Sequence, residues 1–127
     1  MKKLQLPLKT EWFEMTKQGI KKEDYRSITP HWLTRLIGYK GSKESKDMMC
    51  RALKLENSMS RTWLNEGFSK FKEFSVNRMT KGYPSAINKT NILELQHKGI
   101  EIRQGNPNWG AKPGELYFVI LHGEIIE

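Results

Sequence analysis

The residues whose types and spacing could do chemistry lie in Gly19-Ile20-Lys21-Lys22-Glu23-Asp24-Tyr25-Arg26, which holds five charges in eight positions. Gly19 can take the positive φ that ends a helix, and the chain can then enter a strand. Side chains alternate along a strand, so Asp24 and Arg26 share one face about 7 Å apart, and Glu23 and Tyr25 face away. Strict alternation places Lys21 opposite Asp24. It joins Asp24 only from the turn or across a bulge. Lysine, carboxylate and arginine converging at such a turn would grip a polar or anionic ligand, or pair an acid with a base. The competing reading is a solvated strand edge whose charges discourage edge pairing.

The order Gly19-x-Lys21-x-x-Asp24-x-Arg26 resembles the signature of the activating signal cointegrator homology (ASCH) domain family. Most members have glutamate where this chain has Asp24. Thr29-Pro30-x-Trp32, Gly82-Tyr83-Pro84 and Trp109-Gly110-Ala111 resemble segments of small phage-type members in the same order. The likeness covers about residues 4–38 and 74–123. It implies an α+β fold: a mostly antiparallel β-barrel similar to the pseudouridine synthase and archaeosine transglycosylase (PUA) fold, with short flanking helices. The expected organisation is one domain over residues 1–127 with a helical insertion at about 40–72.

Composition fits that scale. The chain has 127 residues, 37% hydrophobic and 28% charged, in the range of a folded domain with a modest core. Net charge is +8, and the excess of cations is six in residues 1–60 against two in 61–127. A basic surface attracts polyanions, nucleic acid first. No apolar run approaches the roughly 20 residues that span a bilayer, and no apolar stretch follows Met1-Lys2-Lys3 as a signal peptide requires. The expected location is therefore cytoplasmic, with no membrane partner. Cys50 is the single cysteine, and His31, His97 and His122 lack ligand spacing, so no metal or cofactor is expected. The histidines read as ordinary surface or packing residues. No P-loop, nucleophile elbow, dinucleotide fingerprint or His-Glu-x-x-His is found, which removes the usual support for those enzyme classes.

The elements that must position these residues follow from periodicity. Leu4, Leu6 and Leu8 alternate in a strand that Pro7 marks as an edge or an end. Thr10 reads as the N-cap of a helix ending at Gly19, with Trp12, Phe13, Met15, Thr16 and Ile20 on its apolar side. Thr29 caps a second helix, Pro30 opens it and Gly38 ends it. Two short helices are expected at about 44–57 and 60–72, with Met48, Ala52, Leu55 and Met59 at helical spacing, as are Met49 and Leu53, and with Leu64, Phe68 and Phe71 in a second run beside Trp63. Their methionines and aromatics should pack on the barrel. Residues 74–79 and 116–122 read as strands, and 91–96 and 100–103 as a hairpin around His97-Lys98-Gly99.

The resemblance implies RNA or nucleotide binding in a cleft lined by Lys21, Asp24 and Arg26. Lys21, Arg26 and Lys81 would meet phosphates, and Tyr83 and Trp109 would stack on bases at the rim. The alternative is a small amidohydrolase or nuclease acting on a modified nucleoside or RNA, with Lys21 and Asp24 as its catalytic groups. Some ASCH-like enzymes deacetylate cytidine derivatives, using a lysine base and a threonine nucleophile. Asp24 stands in the threonine's place, and their Glu-Asn-Met element has no counterpart here. A phage accessory protein that binds a protein partner is the third reading.

Overall fold

The computed structural model describes residues 2–67, 70–82 and 91–126. The elements are β1 (Lys3–Leu8), α1 (Thr10–Lys17), β2 (Glu23–Ser27), α2 (Pro30–Ile37), α3 (Lys43–Lys54), α4 (Met59–Asn65), β3 (Val76–Lys81), β4 (Ile92–Gln104) and β5 (Leu116–Ile125). The fold is mixed α and β. Five strands form one sheet in the order β1-β3-β4-β5-β2, so β1 and β2 are its two edges and the described sheet is open. It is also mixed in direction: β1 runs parallel to β3, from Lys3 opposite Val76 to Leu8 opposite Lys81. β3 runs antiparallel to β4. No helix among the described residues is long and apolar enough to cross a membrane.

The chain divides into two compact units. The first comprises residues 1–24, 73–99 and 120–127. Its core comes from alternation in β1 (Leu4, Leu6 and Leu8) and in β4 (Leu93 and Leu95), and from Val76 and Met79 of β3, which is buried on both faces. Pro7 lacks an N–H to donate, and its place on an edge strand suits that. α1 turns Phe13 and Thr16 inward. Lys9, not Thr10, is its N-cap. Ile20, expected on the apolar side, is 50% exposed because the helix has already stopped at Lys17.

The second unit comprises residues 25–72 and 100–119. α2 has the end signals its sequence carries: Thr29 Oγ1 accepts from Trp32 N, Pro30 is the first helical residue, and Gly38 takes φ +75. Leu33 and Leu36 are fully buried. Ser42 and Ser58 cap α3 and α4 through their hydroxyls. Arg61 Nη1 donates to the carbonyls of Leu53 and Leu55, which closes the end of α3. Both helices are shorter than expected, since Leu55 is already extended and Gly67 takes φ +83 two residues beyond α4. Of the two series expected on α3, the one through Met49 and Leu53 carries the burial. Cys50 and Leu53 are buried, while Met48, Leu55 and Met59 are more than 60% exposed. Phe68 lies outside the described residues. Asn65 pairs with the Ile102 backbone in both directions, at 2.9 and 2.8 Å, as a neighbouring strand would.

The expected hairpin at 91–103 is instead one strand, β4. Gly99 sits inside it at φ +121 and ends the first unit's share of the strand. A glycine within a strand marks a bend or bulge as readily as a turn. The loop after β4 is fixed by Tyr25, whose hydroxyl accepts from Asn106 N at 2.8 Å. Gly105 is required there: a Cβ would stand 2.7 Å from both the Tyr25 ring and Ala111.

Candidate functional site

In the first unit the signature turn forms a buried charged pair. Gly19 takes φ +78, and the N–H groups of Ile20 and Lys21 both reach back to the carbonyl of Met15. This leaves Lys21 in the turn before β2, not on the strand. From there its Nζ donates to Asp24 Oδ1 at 3.2 Å and to the Glu23 carbonyl at 2.6 Å. The two side chains are 1% and 4% exposed. Taking a pair of charges out of water costs several kcal/mol per ion, so such a pair persists only with further polar support.

A second layer of polar groups lies beside that turn. His122 N donates to the Lys22 carbonyl at 3.1 Å, which places the end of β5 against the signature. Asn77 of β3 is fully buried. Its Nδ2 is 3.2 Å from the Leu121 carbonyl and 2.7 Å from His122 Nδ1. A carbonyl only accepts, so the amide nitrogen must face Leu121, and His122 Nδ1 must therefore be an acceptor. Neutral His122 then carries its proton on Nε2. Asn77 Oδ1 accepts from His97 Nδ1 at 2.7 Å, which completes a chain His97–Asn77–His122. His122 Nε2 is shielded from solvent and has no hydrogen-bond partner among the described residues. Burial pushes the His122 pKa down to about 4, Asp24 opposing and Lys21 reinforcing the shift. Burial lowers His97 as well.

The first unit thus holds a cation, a carboxylate and a neutral imidazole with a proton to donate. Sequence reasoning found the first two and missed the third. The available signal was a polar residue, Asn77, at an inward position of a strand. His97 and His122 are packing histidines, as expected, and Asn77 ties both into one network that the sequence did not announce.

The other expected site residues are placed differently. Lys81 is paired with Glu14 at 2.6 Å and lies 5.3 Å over the Phe13 ring. That pairing holds the Glu14 carboxyl below its usual range. Tyr83 lies outside the described residues. Trp109 closes a short 3-10 turn, Pro107–Trp109, set by the Asn106 side chain accepting from Asn108 N at 2.9 Å. It is half-buried.

Arg26 belongs to the second unit, where its guanidinium lies 4.9 Å over the Trp32 ring. Arg35, one helical turn beyond Trp32, lies 5.6 Å over the same ring. His31 meets Trp32 edge-on at 5.2 Å. Two guanidinium groups held against one indole make a cationic cluster whose donors suit phosphate recognition. Trp32 reads from periodicity as core. Its position is half-buried and its ring is occupied by arginines. No cluster of three or more metal-ligating side chains occurs among the described residues.

Comparison with protein-family models, curated proteins and solved structures gives no match to this chain.

Proposed function

We propose that this protein binds RNA or a nucleotide, as an open-sheeted variant of the PUA-like architecture carrying an ASCH-type signature. The observation that carries the reading is the Arg26–Trp32–Arg35 cluster. Guanidinium groups over an indole are pre-oriented donors, lose little freedom on meeting a phosphate, and keep their charge at any accessible pH. The uneven net charge, six of the eight excess cations in the first sixty residues, supports the same partner through long-range attraction.

The buried Lys21–Asp24 pair has a different part in this reading from the one its sequence suggests. Lys21 is engaged by Asp24 and the Glu23 carbonyl and shut off from solvent. It shapes the turn that leads to Arg26, and phosphate contact falls to the half-buried arginines of the cluster. The test is fluorescence anisotropy of a labelled single-stranded RNA bearing a 5′-hydroxyl, at low salt. Wild-type protein should bind it, and Arg26→Ala should weaken binding about tenfold, the cost of one charge-assisted contact. Equal affinity of the two proteins would remove the cluster from the interface.

One observation favours a second reading, hydrolysis of an acylated nucleoside. The unpartnered Nε2–H of His122 beside Asp24 and Lys21 is a donor placed near a carboxylate, as acid–base chemistry requires. Turnover of N-acetylated cytidine by wild-type protein, lost in Asp24→Asn and in His122→Asn with RNA binding intact, would favour this reading. Absence of turnover in the wild type leaves binding alone.

A further inference from the structure

The segment that carries α3 and α4 is apolar on two sides. Inward, Cys50, Leu53 and Leu64 are buried. Outward, Met48, Leu55, Met59 and Trp63 are exposed, four of the seven large apolar side chains left exposed among the described residues. Exposed apolar side chains gathered in one place mark an interaction site. A cavity of about 260 Å³ lies beside Trp63, between α2, α3 and α4. Leu33 and Ile37 of α2, Met49 of α3 and Leu64 of α4 give it apolar walls. Its polar groups are the hydroxyls of Ser60 and Tyr39, and the Tyr39 hydroxyl is already joined to Ser45 Oγ.

That lining narrows what can enter. A nucleobase carries several donors and acceptors and would leave most of them unmet here. The volume lies below the roughly 300–1,000 Å³ of small-molecule sites. It suits one large apolar side chain, and an anchor ringed by tryptophan and methionine is a common centre of a protein interface. No strand contributes to the lining, so main-chain pairing with a sheet edge is not on offer. A helix laid across the opening, with apolar anchors at i, i+3 or i+4 and i+7, is the mode that fits. Charge sets its composition. Residues 39–72 hold eight Lys and Arg against four Asp and Glu. Arg51 is one helical turn from both Met48 and Leu55, and Lys54 follows on the same helix. Both cations are exposed, and neither joins an ion pair among the described residues. A second copy of the chain would bring the same cations and be repelled, whereas an acidic helix would be attracted.

We infer that this face binds an acidic amphipathic helix of another protein, with one large apolar side chain of that helix in the cavity. The face is separate from the arginine cluster: at about 100° per residue, Leu33 and Ile37 lie on the side of α2 away from Trp32 and Arg35. The inference does not rest on the nucleic-acid reading. The test is selection against the whole protein from a displayed library of random peptides about 16 residues long, roughly four helical turns. Enriched sequences should carry net negative charge and apolar residues at helical spacing. A synthetic peptide of the leading sequence should gain helical circular dichroism on binding. Trp63→Ser and Arg51→Glu/Lys54→Glu should each weaken its binding about tenfold or more in fluorescence anisotropy. Both variants change exposed side chains, so the fold should survive, and Trp63→Ser should bind 5′-hydroxyl RNA as wild type does. Failure to enrich any sequence overturns the inference. So does enrichment of neutral or basic sequences, or a Kd that either variant leaves unchanged. Loss of RNA binding in Trp63→Ser would assign the face to RNA and overturn the inference. Trp63-dependent binding of phosphatidylcholine–phosphatidylglycerol vesicles, with no peptide enriched, would assign it to a lipid surface and overturn it too. Peptide binding with these properties by a wild-type protein that binds no RNA supports this face and overturns the RNA reading.

Discussion

The Lys21–Asp24 pair shows how a short motif can be right in its partners and different in its exposure. The turn geometry brings the lysine to the carboxylate, as spacing allowed, and then buries both. Removing one partner takes a charge-assisted contact from the other in a poor dielectric. Lys21→Met should therefore cost about 3–5 kcal/mol in urea denaturation. Lys21→Met/Asp24→Leu should recover part of that loss, since the two buried charges are then removed together. A single variant as stable as wild type would contradict the pair's burial.

His122 gives a pH dependence whose sign follows from its lowered pKa. The unfolded chain binds a proton near pH 6.5 and the folded chain only near pH 4. The histidine's contribution is intact above pH 6.5 and is lost progressively as pH falls towards 4, at up to about 1.4 kcal/mol per unit. His97 shifts in the same direction. Denaturant midpoints measured from pH 7 to pH 4 should fall, and His122→Gln should fall less steeply. Identical slopes would place His122 in water.

At the scale of elements, local signals decided what the sequence made legible. α2 carries its own N-cap, first proline and terminal glycine, and it forms where those residues place it. β1 is marked by three alternating leucines and by a proline that only an edge tolerates. What was not legible depends on residues far apart. Asn77 and His122 meet across 45 positions, and nothing in either neighbourhood announces the other. The parallel pairing of β1 with β3 joins segments separated by four helices and a strand, and no turn signal encodes it. β4 failed for another reason: His97-Lys98-Gly99 has the composition of a turn, and only the pairing of the strand keeps it extended. Gly99 at φ +121 is then a requirement of that strand. Gly99→Ala meets no neighbouring atom within 4 Å, so its cost is backbone strain alone. It should exceed about 1 kcal/mol and lower the melting temperature. An unchanged melting temperature would mean that the strand relaxes at no cost.

At the scale of the whole molecule, charge and aromatic placement set the functional claim. The basic excess lies in the first part of the chain. Within the second unit, Arg26 and Arg35 lie against one indole. The central claim is that these cations meet nucleic-acid phosphates. Each phosphate neutralised on a single strand contributes about 0.7 to the slope of log K against log salt. The most direct measurement is that slope for a 5′-hydroxyl single-stranded RNA, in wild type and in Arg26→Ala. Contact with two or more phosphates predicts a wild-type slope of about −1.4 or steeper, and a slope shallower by about 0.7 in the variant. A wild-type slope near zero, or one that Arg26→Ala leaves unchanged, would contradict the account.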